Sequence, residues 1–222
     1  MDATTAAHSS TLPAMSRACN PAYIGAVDLT LILGPMKSGK SLELVSLLSP
    51  LQYTDTRHRV FQSARHVRDA GVVSRSGAAL ATVKANSLAA ALDEELDVVG
   101  IDEVHMFTLG DMDVVRRLLI NGTRVVAAGI DLDHRGELFA PVRALLELGP
   151  AAVTYRRAVC DRCRSFSAVY TQVLEHGEPM IRELPPSTAL PDDGTYTYEP
   201  RCRTCVVLPQ FTPRPTPART GD

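Results

Sequence analysis

Three groups of residues in this chain have the types and spacing that chemistry needs. The first is Gly34-Pro35-Met36-Lys37-Ser38-Gly39-Lys40-Ser41, a Gly, four free positions and then Gly-Lys-Ser. That is the pattern of a phosphate-binding loop. Gly34 and Gly39 let the backbone bend around an anion and point its N–H groups inward. Lys40 would place a point charge on the outer phosphates of a ligand, and the Ser41 hydroxyl suits Mg²⁺. The second group is Asp102-Glu103, which closes the apolar run Val98-Val99-Gly100-Ile101. After a phosphate loop this is the expected second metal element. Asp102 can hold Mg²⁺ directly or through water, and Glu103 can accept the proton of a hydroxyl attacking a γ-phosphoryl group. The plainer reading is a solvated acidic strand end. The third group is Cys160-Asp161-Arg162-Cys163 with Cys202-Arg203-Thr204-Cys205. Four thiolates from two knuckles suit tetrahedral Zn²⁺ in a closed, structural site, with no open position for catalysis. Two disulfides are the alternative. The absence of a basic start and apolar run in residues 1–26 disfavours export, and with it disulfides.

These groups must be positioned by regular elements, and the pattern around them alternates strands and helices. Residues 28–33 read as a short buried strand leading into the phosphate loop, and residues 42–48 as the helix that follows it, the setting the motif requires. Further strands are expected at 59–61, 97–101, 124–130 and 152–155, with helices at 88–96, 109–120 and 141–148. Near-continuous apolar strands with helical crossovers predict a parallel sheet covered on both faces. Ligands of such sheets bind at the carboxyl ends of the strands, where the loop, Asp102-Glu103 and Asp131 all fall. Residues 166–174 look like strand material in a small lobe stapled by the cysteines. The expected organisation is a tail over 1–26, a nucleotide-binding α/β domain over 27–158, a zinc lobe with a lid loop over 159–208, and a disordered Pro-rich tail over 209–222. Cys19 in the first tail reads as an unpaired thiol. Pro213 to Pro217 could adopt polyproline II, but a solvated tail is the simpler reading.

Composition narrows the classes. The chain has 222 residues, 45% hydrophobic and 22% charged, with a net charge of −2. These values fit a soluble globular protein. The balance gives no reason to expect bulk nucleic-acid binding, and the lack of Trp leaves few stacking platforms. No run reaches the roughly 18 apolar residues of a membrane span. A reducing cytoplasm is the expected location.

Taken in order, these motifs resemble the zinc-containing (type II) thymidine kinases of bacteria, animals and large viruses. That family opens with Gly-Pro-Met-x-Ser-Gly-Lys-Ser and Glu-Leu, matched by Gly34 to Ser41 and Glu43-Leu44, with Leu42 where Thr is usual. Ile101-Asp102-Glu103 resembles its metal and base segment. Residues 128–139, Ala-Gly-Ile-Asp-Leu-Asp-His-Arg-Gly-Glu-Leu-Phe, are similar to its Gly-Leu-Asp-x-Asp-Phe-Arg-Gly-x-Pro-Phe element, and Tyr198-Glu199-Pro200-Arg201-Cys202 to its Tyr-Glu-x-Arg-Cys stretch. The resemblance covers roughly residues 28 to 208. It implies a P-loop NTPase-like sheet plus a zinc-ribbon lobe carrying a substrate lid (lasso) loop at about 184–198. It also implies Mg²⁺-dependent transfer of the γ-phosphoryl group of ATP to the 5′-hydroxyl of thymidine or a related deoxynucleoside. Glu103 would be the base, with Ser41 and Asp102 at Mg²⁺. Arg68, Met106, Phe107, His134, Phe139 and Tyr198 would contact the nucleoside, and the chain would form a homo-oligomer, a tetramer in the family's usual state.

Several positions depart from the family. Its Asp-x-Arg after the second strand is met by His66-Val67-Arg68, which keeps Arg68 and loses the carboxylate unless Asp69 substitutes. Its x-Gln-Phe-Phe is Val104-His105-Met106-Phe107, the aromatic of Asp-Phe-Arg-Gly is His134, and the usual Lys near Gln62 is absent. Met is a soft apolar filler able to replace Phe in a pocket wall. Arg135 suits a phosphate or loop contact, or an ion pair with Asp131 and Asp133. A second reading follows from these changes: a divergent nucleotide-binding protein of the same fold with altered or lost kinase activity. A third, a zinc-ribbon nucleic-acid module on an ATPase, leans on Arg156, Arg157, Arg201 and Arg203 and is opposed by the overall charge.

Overall fold

β1 (Leu29–Leu33) shows why the sheet is buried on both sides. Leu29, Leu31 and Leu33 pack into one apolar cluster and Ile32 into another. Side chains alternate across a strand, so a strand covered on both faces must be apolar at nearly every position. The computed structural model describes residues 28–65, 72–73, 79–182, 184–185, 190 and 194–211. After β1 the elements run α1 (Lys40–Leu48), β2 (His58–Ser63), β3 (Val72–Val73), β4 (Ala79–Leu80), β5 (Thr82–Ala85), β6 (Val98–Asp102) and α2 (Leu109–Ile120). They continue with β7 (Arg124–Gly129), α3 (Ala140–Glu147), β8 (Ala152–Tyr155), β9 (Tyr170–Glu175), β10 (Glu178–Pro179) and β11 (Tyr196–Arg201).

Six strands form one sheet in the order β5-β2-β6-β7-β1-β8, every pairing parallel. The chain leaves β1 and crosses to β2, and β6 and β7 later fill the gap between them. The register aligns the carboxyl ends: Leu33 lies opposite Gly129 and Tyr155, and Gln62 opposite Asp102. The segments that follow these residues therefore emerge along one edge, as expected for a ligand-binding α/β sheet.

α1 covers one face, burying Leu44, Val45 and Leu48 against Ile32, Val60, Val126 and Ala128. It lies so close that a Cβ on Gly100 would fall 2.4 Å from Leu48 Cδ1. α2 and α3 cover the other face through Met112, Val115, Leu118, Val142 and Leu145. Each such fully buried side chain contributes about 1.5–3 kcal/mol. Thr108 caps α2 in a capping box with Asp111, which satisfies two otherwise open N–H groups.

A helix over 88–96 is not what forms: the segment makes only a 3₁₀ turn at Ala89–Leu92. Asp111 Oδ1 takes both the Ser87 hydroxyl and the Leu88 N–H at 2.7 Å, pinning the entry to α2. Glu94 and Glu95 then pair with Arg59 and Arg57 of the β2 region at 2.8 and 2.7 Å. Tertiary partners thus override a weak local helical preference. β5 is a short, half-exposed edge strand of sequence Thr-Val-Lys-Ala, with too little apolar content for periodicity to mark it.

The cysteine lobe is a three-stranded antiparallel sheet, β10-β9-β11. Its first strand is shorter than residues 166–174 suggested, and Phe166 is exposed. Pro209–Phe211, the start of the expected Pro-rich tail, forms a 3₁₀ turn with Pro209 buried. Cys19, His66, Arg68, Asp69 and the Pro213–Pro217 motif lie outside the described residues.

Candidate active site

Backbone geometry at the loop explains its glycines. Gly34 has φ +146°, and a Cβ there would sit 2.5 Å from the Arg156 carbonyl oxygen. Gly39, at φ +82°, is the N-cap of α1. Between them the chain folds into a turn that delivers Lys40 and Ser41 as the first residues of α1, where amides and the helix dipole favour an anion. Lys40 is buried, and its Nζ donates to Pro35 O at 2.8 Å. Burial holds its ammonium below the ordinary lysine range, opposed by the charges of Glu103, Asp131 and Asp102. Those opposing charges place one ammonium and three carboxylates around a common volume at the sheet edge.

Asp102 ends β6, buried and bonded on both oxygens. Ser41 Oγ donates to Oδ1 at 3.1 Å and Gln62 Nε2 to Oδ2 at 3.1 Å. Burial, and then the neighbouring Glu103 charge, pushes its carboxyl up to about 6. Glu103 follows in the left-handed region at φ +53°, which swings its side chain off the strand line. Its Oε2 is buried without a hydrogen-bond partner. Asp131, two residues past the end of β7, also has a buried Oδ1 without a partner, and burial raises its carboxyl. Buried carboxylate oxygens left unpaired are costly and mark a place where a ligand proton or cation is accommodated. Ser41 and Asp102, already in contact, fit a Mg²⁺ site made of one hydroxyl and one carboxylate.

The expected nucleoside residues come from separate elements. Met106 lies on the 3₁₀ turn after Glu103, half-buried, while Phe107 is packed into the main core at 5% exposure. Phe139 precedes α3, and its ring meets His105 with centroids 4.9 Å apart. His105 Nδ1 accepts the Ile130 N–H at 3.2 Å and lies 3.5 Å from Glu103 Oε2. His134 is buried with Nε2 unpartnered, and burial lowers its pKa. Its ring is hydrogen-bonded to the Leu184 backbone, at the start of the expected lid. Tyr198 in β11 packs beside Val173, Met180 and Tyr196. Arg135 pairs with Glu137 at 2.9 Å, not with Asp131 or Asp133. Asp133 Oδ1 instead accepts the backbone N–H groups of Arg135 and Glu137, closing a tight turn.

The four cysteines Cys160, Cys163, Cys202 and Cys205 gather with all Sγ atoms within 4.8 Å of one another, and all four are free thiols. Cys163 and Cys202 are 3.7 Å apart, close to the edge of about 3.8 Å that Zn–S bonds of about 2.3 Å give a tetrahedron. Hydrogen bonds from Ser165 lower the Cys163 thiol, whereas sharing with Cys202 pushes Cys205 up to about 12. Four thiolates crowded together need a cation, and the donor set fits Zn²⁺. The disulfide alternative is not realised.

The thymidine kinase family model matches residues 27–206. This chain belongs to the thymidine kinase family. The thymidine kinase of Bacteroides thetaiotaomicron is 31% identical over 183 residues, 81% of this chain and 86% of that protein. Among solved structures, a replication initiator DnaA bound to AMPPCP and single-stranded DNA aligns with a TM-score of 0.39 and 12% identity. That alignment covers 60% of this chain and 41% of that one, a likeness too distant to bear on function. No helix among the described residues is long and apolar enough to cross a membrane.

Within this thymidine kinase family member, some site residues had no motif to announce them. Gln62 is 2% exposed and orients Asp102, a role that only the register of β2 against β6 reveals. Arg156 follows β8, the strand beside β1. Its Nε lies 3.4 Å from Ser38 O, and its guanidinium 3.2 Å from Glu43. Its position at a strand end was the available signal. Thr171 of β9 accepts the Met36 N–H at 3.0 Å, a contact between lobes that sequence spacing does not encode.

Proposed function

We propose that this chain is a thymidine kinase that moves the γ-phosphoryl group of ATP to the 5′-hydroxyl of thymidine or a related deoxynucleoside. The observation that carries this reading is the contact of Ser41 Oγ with Asp102 Oδ1 at 3.1 Å, beside a Glu103 carboxylate with an unpartnered buried oxygen. The loop amides from Lys37 to Ser41 and the start of α1 hold the polyphosphate, and Lys40 turns from Pro35 O to the outer phosphates. Mg²⁺, when bound, neutralises charge that develops on the transferring group. Ser41 and Asp102 are the residues that would hold it. Glu103 accepts the proton of the attacking hydroxyl. Asp131 adds a third carboxylate beside Lys40 and sets the field of the site.

The nucleoside lies across Met106, His134 and Phe139, with Tyr198 and Leu184 beside it; Arg68, outside the described residues, is a further candidate contact. Phe107 supports this wall from the core. Four Cys ligands keep Zn²⁺ structural, fixing the lobe that carries β11.

A specific observation favours a second reading, a kinase with altered acceptor preference or reduced activity. The buried, unpartnered Nε2 of His134 stands where the family places an aromatic ring. Transfer of radiolabelled phosphate from ATP to a panel of deoxynucleosides, with the parent and Glu103→Gln, separates these readings. Thymidine should be phosphorylated by the parent, and the variant should lose about 10²–10⁴-fold in rate. Background transfer from both proteins to every nucleoside would refute the kinase reading. Strong transfer to another nucleoside alone would establish the altered acceptor.

A further inference from the structure

The outer turn of the phosphate loop is held by the cysteine lobe. The Met36 N–H donates to Thr171 Oγ1 of β9 at 3.0 Å, and Lys37 Nζ donates to Asp161 Oδ2 at 2.8 Å. Lys37 stands at φ +61°, a left-handed conformation uncommon for a residue with a side chain. Such a backbone persists because its surroundings hold it. Asp161 is the second residue of the first cysteine knuckle. Its N–H donates to Pro200 O at 2.9 Å, two positions before Cys202, and Arg164 Nη1 approaches its Oδ1 to 3.8 Å. The turns that gather the four Sγ atoms therefore also set where the Asp161 carboxylate points.

We propose that Asp161 is a positioning residue: through Lys37 it links metal occupancy of the four-cysteine cluster to the shape of the phosphate loop, so that zinc and nucleotide each stabilise the binding of the other. This rests on the reading above that the loop binds ATP. Binding linkage is reciprocal, so a lobe that shapes the loop for nucleotide is itself held more firmly once nucleotide is bound. The pair is partly exposed, the Lys37 side chain at 58% and Asp161 at 23%. Pairs of that kind are weak, which sets the expected linkage at about threefold. What separates it from an ordinary surface pair is its position: it joins residues 124 positions apart, in two lobes, and lands on the turn that shapes the anion cradle.

The test uses the full zinc-loaded chain. Calorimetry measures ATP affinity, and a colorimetric chelator measures the rate of zinc release with and without saturating ATP. The proteins compared are the parent, Asp161→Asn, Lys37→Gln, their combination and Lys37→Arg. In the parent, ATP should slow zinc release about threefold. Asp161→Asn and Lys37→Gln should each abolish that slowing, the double variant should be no worse than either, and Lys37→Arg should keep it. Asp161→Asn should also raise the KM for ATP about threefold with kcat little changed. Parent protein that binds ATP but releases zinc at an unchanged rate overturns the linkage and leaves the nucleotide reading intact. Full slowing in Asp161→Asn overturns the role of Asp161. Zinc-loaded parent that binds no ATP overturns the nucleotide reading and the linkage with it.

Discussion

Replacing Asp102 with Asn should make the nucleotide-free protein more stable at neutral pH, by an amount that the site geometry sets. Asp102 sits buried between Ser41, Gln62 and Glu103, and its carboxyl is raised from 3.8 to about 6 by burial and then by the Glu103 charge. In the window between those values the folded state holds a proton that the unfolded chain has released. Stability therefore falls as pH rises through it. The rise from 3.8 to about 6 corresponds to about 3 kcal/mol once Asp102 is fully ionised, and about 2 kcal/mol of that is lost between pH 4.5 and pH 7. Asn carries no charge and loses none of it. Its Oδ1 can keep the Ser41 hydrogen bond, and a flipped Gln62 amide can offer the Asn N–H group its Oε1, which is buried without a partner in the parent. Urea denaturation of both proteins at pH 4.5 and pH 7 reads the effect. The advantage of Asp102→Asn should grow by about 2 kcal/mol across that range, and its Tm at pH 7 should rise by about 4–8 °C. ATP with Mg²⁺ should stabilise the parent more than the variant, because the removed carboxylate is the proposed metal contact. A stability difference that is independent of pH, or that shrinks as pH rises, would refute the account of Asp102 as a buried, strained carboxylate kept for function.

Three other outcomes follow from the geometry. Gly34→Ala should lose about 2–4 kcal/mol in urea denaturation, since a Cβ would meet the Arg156 carbonyl at 2.5 Å in a left-handed backbone; parent-like stability would show that the loop can rearrange. Metal analysis of reduced protein should find about one Zn²⁺ per chain. Removing it with a chelator should speed hydrogen exchange in β9 and β11 while leaving β1 and β7 protected, and uniform protection would contradict a structural zinc lobe. Thr108→Ala should cost about 1 kcal/mol by breaking the α2 capping box, measured as a lowered urea midpoint with unchanged m-value.

The fold was most legible where both faces of a strand are buried. β1, β6 and β7 are nearly continuous apolar runs, and the parallel sheet follows from them. It was least legible where long-range partners decide local structure. The stretch at 88–96 has helical composition, but Asp111, Arg57 and Arg59 claim its polar groups. β5 is an edge strand with little apolar content, so periodicity could not announce it. At the site the same division holds. The phosphate loop and the cysteine pairs are local motifs, and their geometry is set within a few residues. Gln62, Arg156, Thr171 and Asp161 reach the site only through sheet register or contact between lobes, and no spacing rule finds them. Arg135 illustrates the point on a small scale: its side chain pairs with Glu137, while Asp133 Oδ1 accepts two backbone N–H groups, one of them that of Arg135.

The charge arrangement explains why the phosphate end of the site needs both its ammonium and a cation. Lys40 faces Glu103, Asp131 and Asp102, so the described site carries more negative than positive charge before any ligand arrives. A polyphosphate entering such a site adds further negative charge. The loop amides and the α1 dipole offset part of it, a share that falls off within the first helical turn. In the proposed reaction the remainder falls to a divalent cation held where Ser41 and Asp102 already touch. Full ionisation of Asp102, costly in the empty protein, then becomes favourable with the ligand bound. The loop and the carboxylates thus act as one electrostatic unit. Mutating either should alter nucleotide and metal affinity together, whereas changes at Met106, His134 or Phe139 should alter acceptor affinity alone.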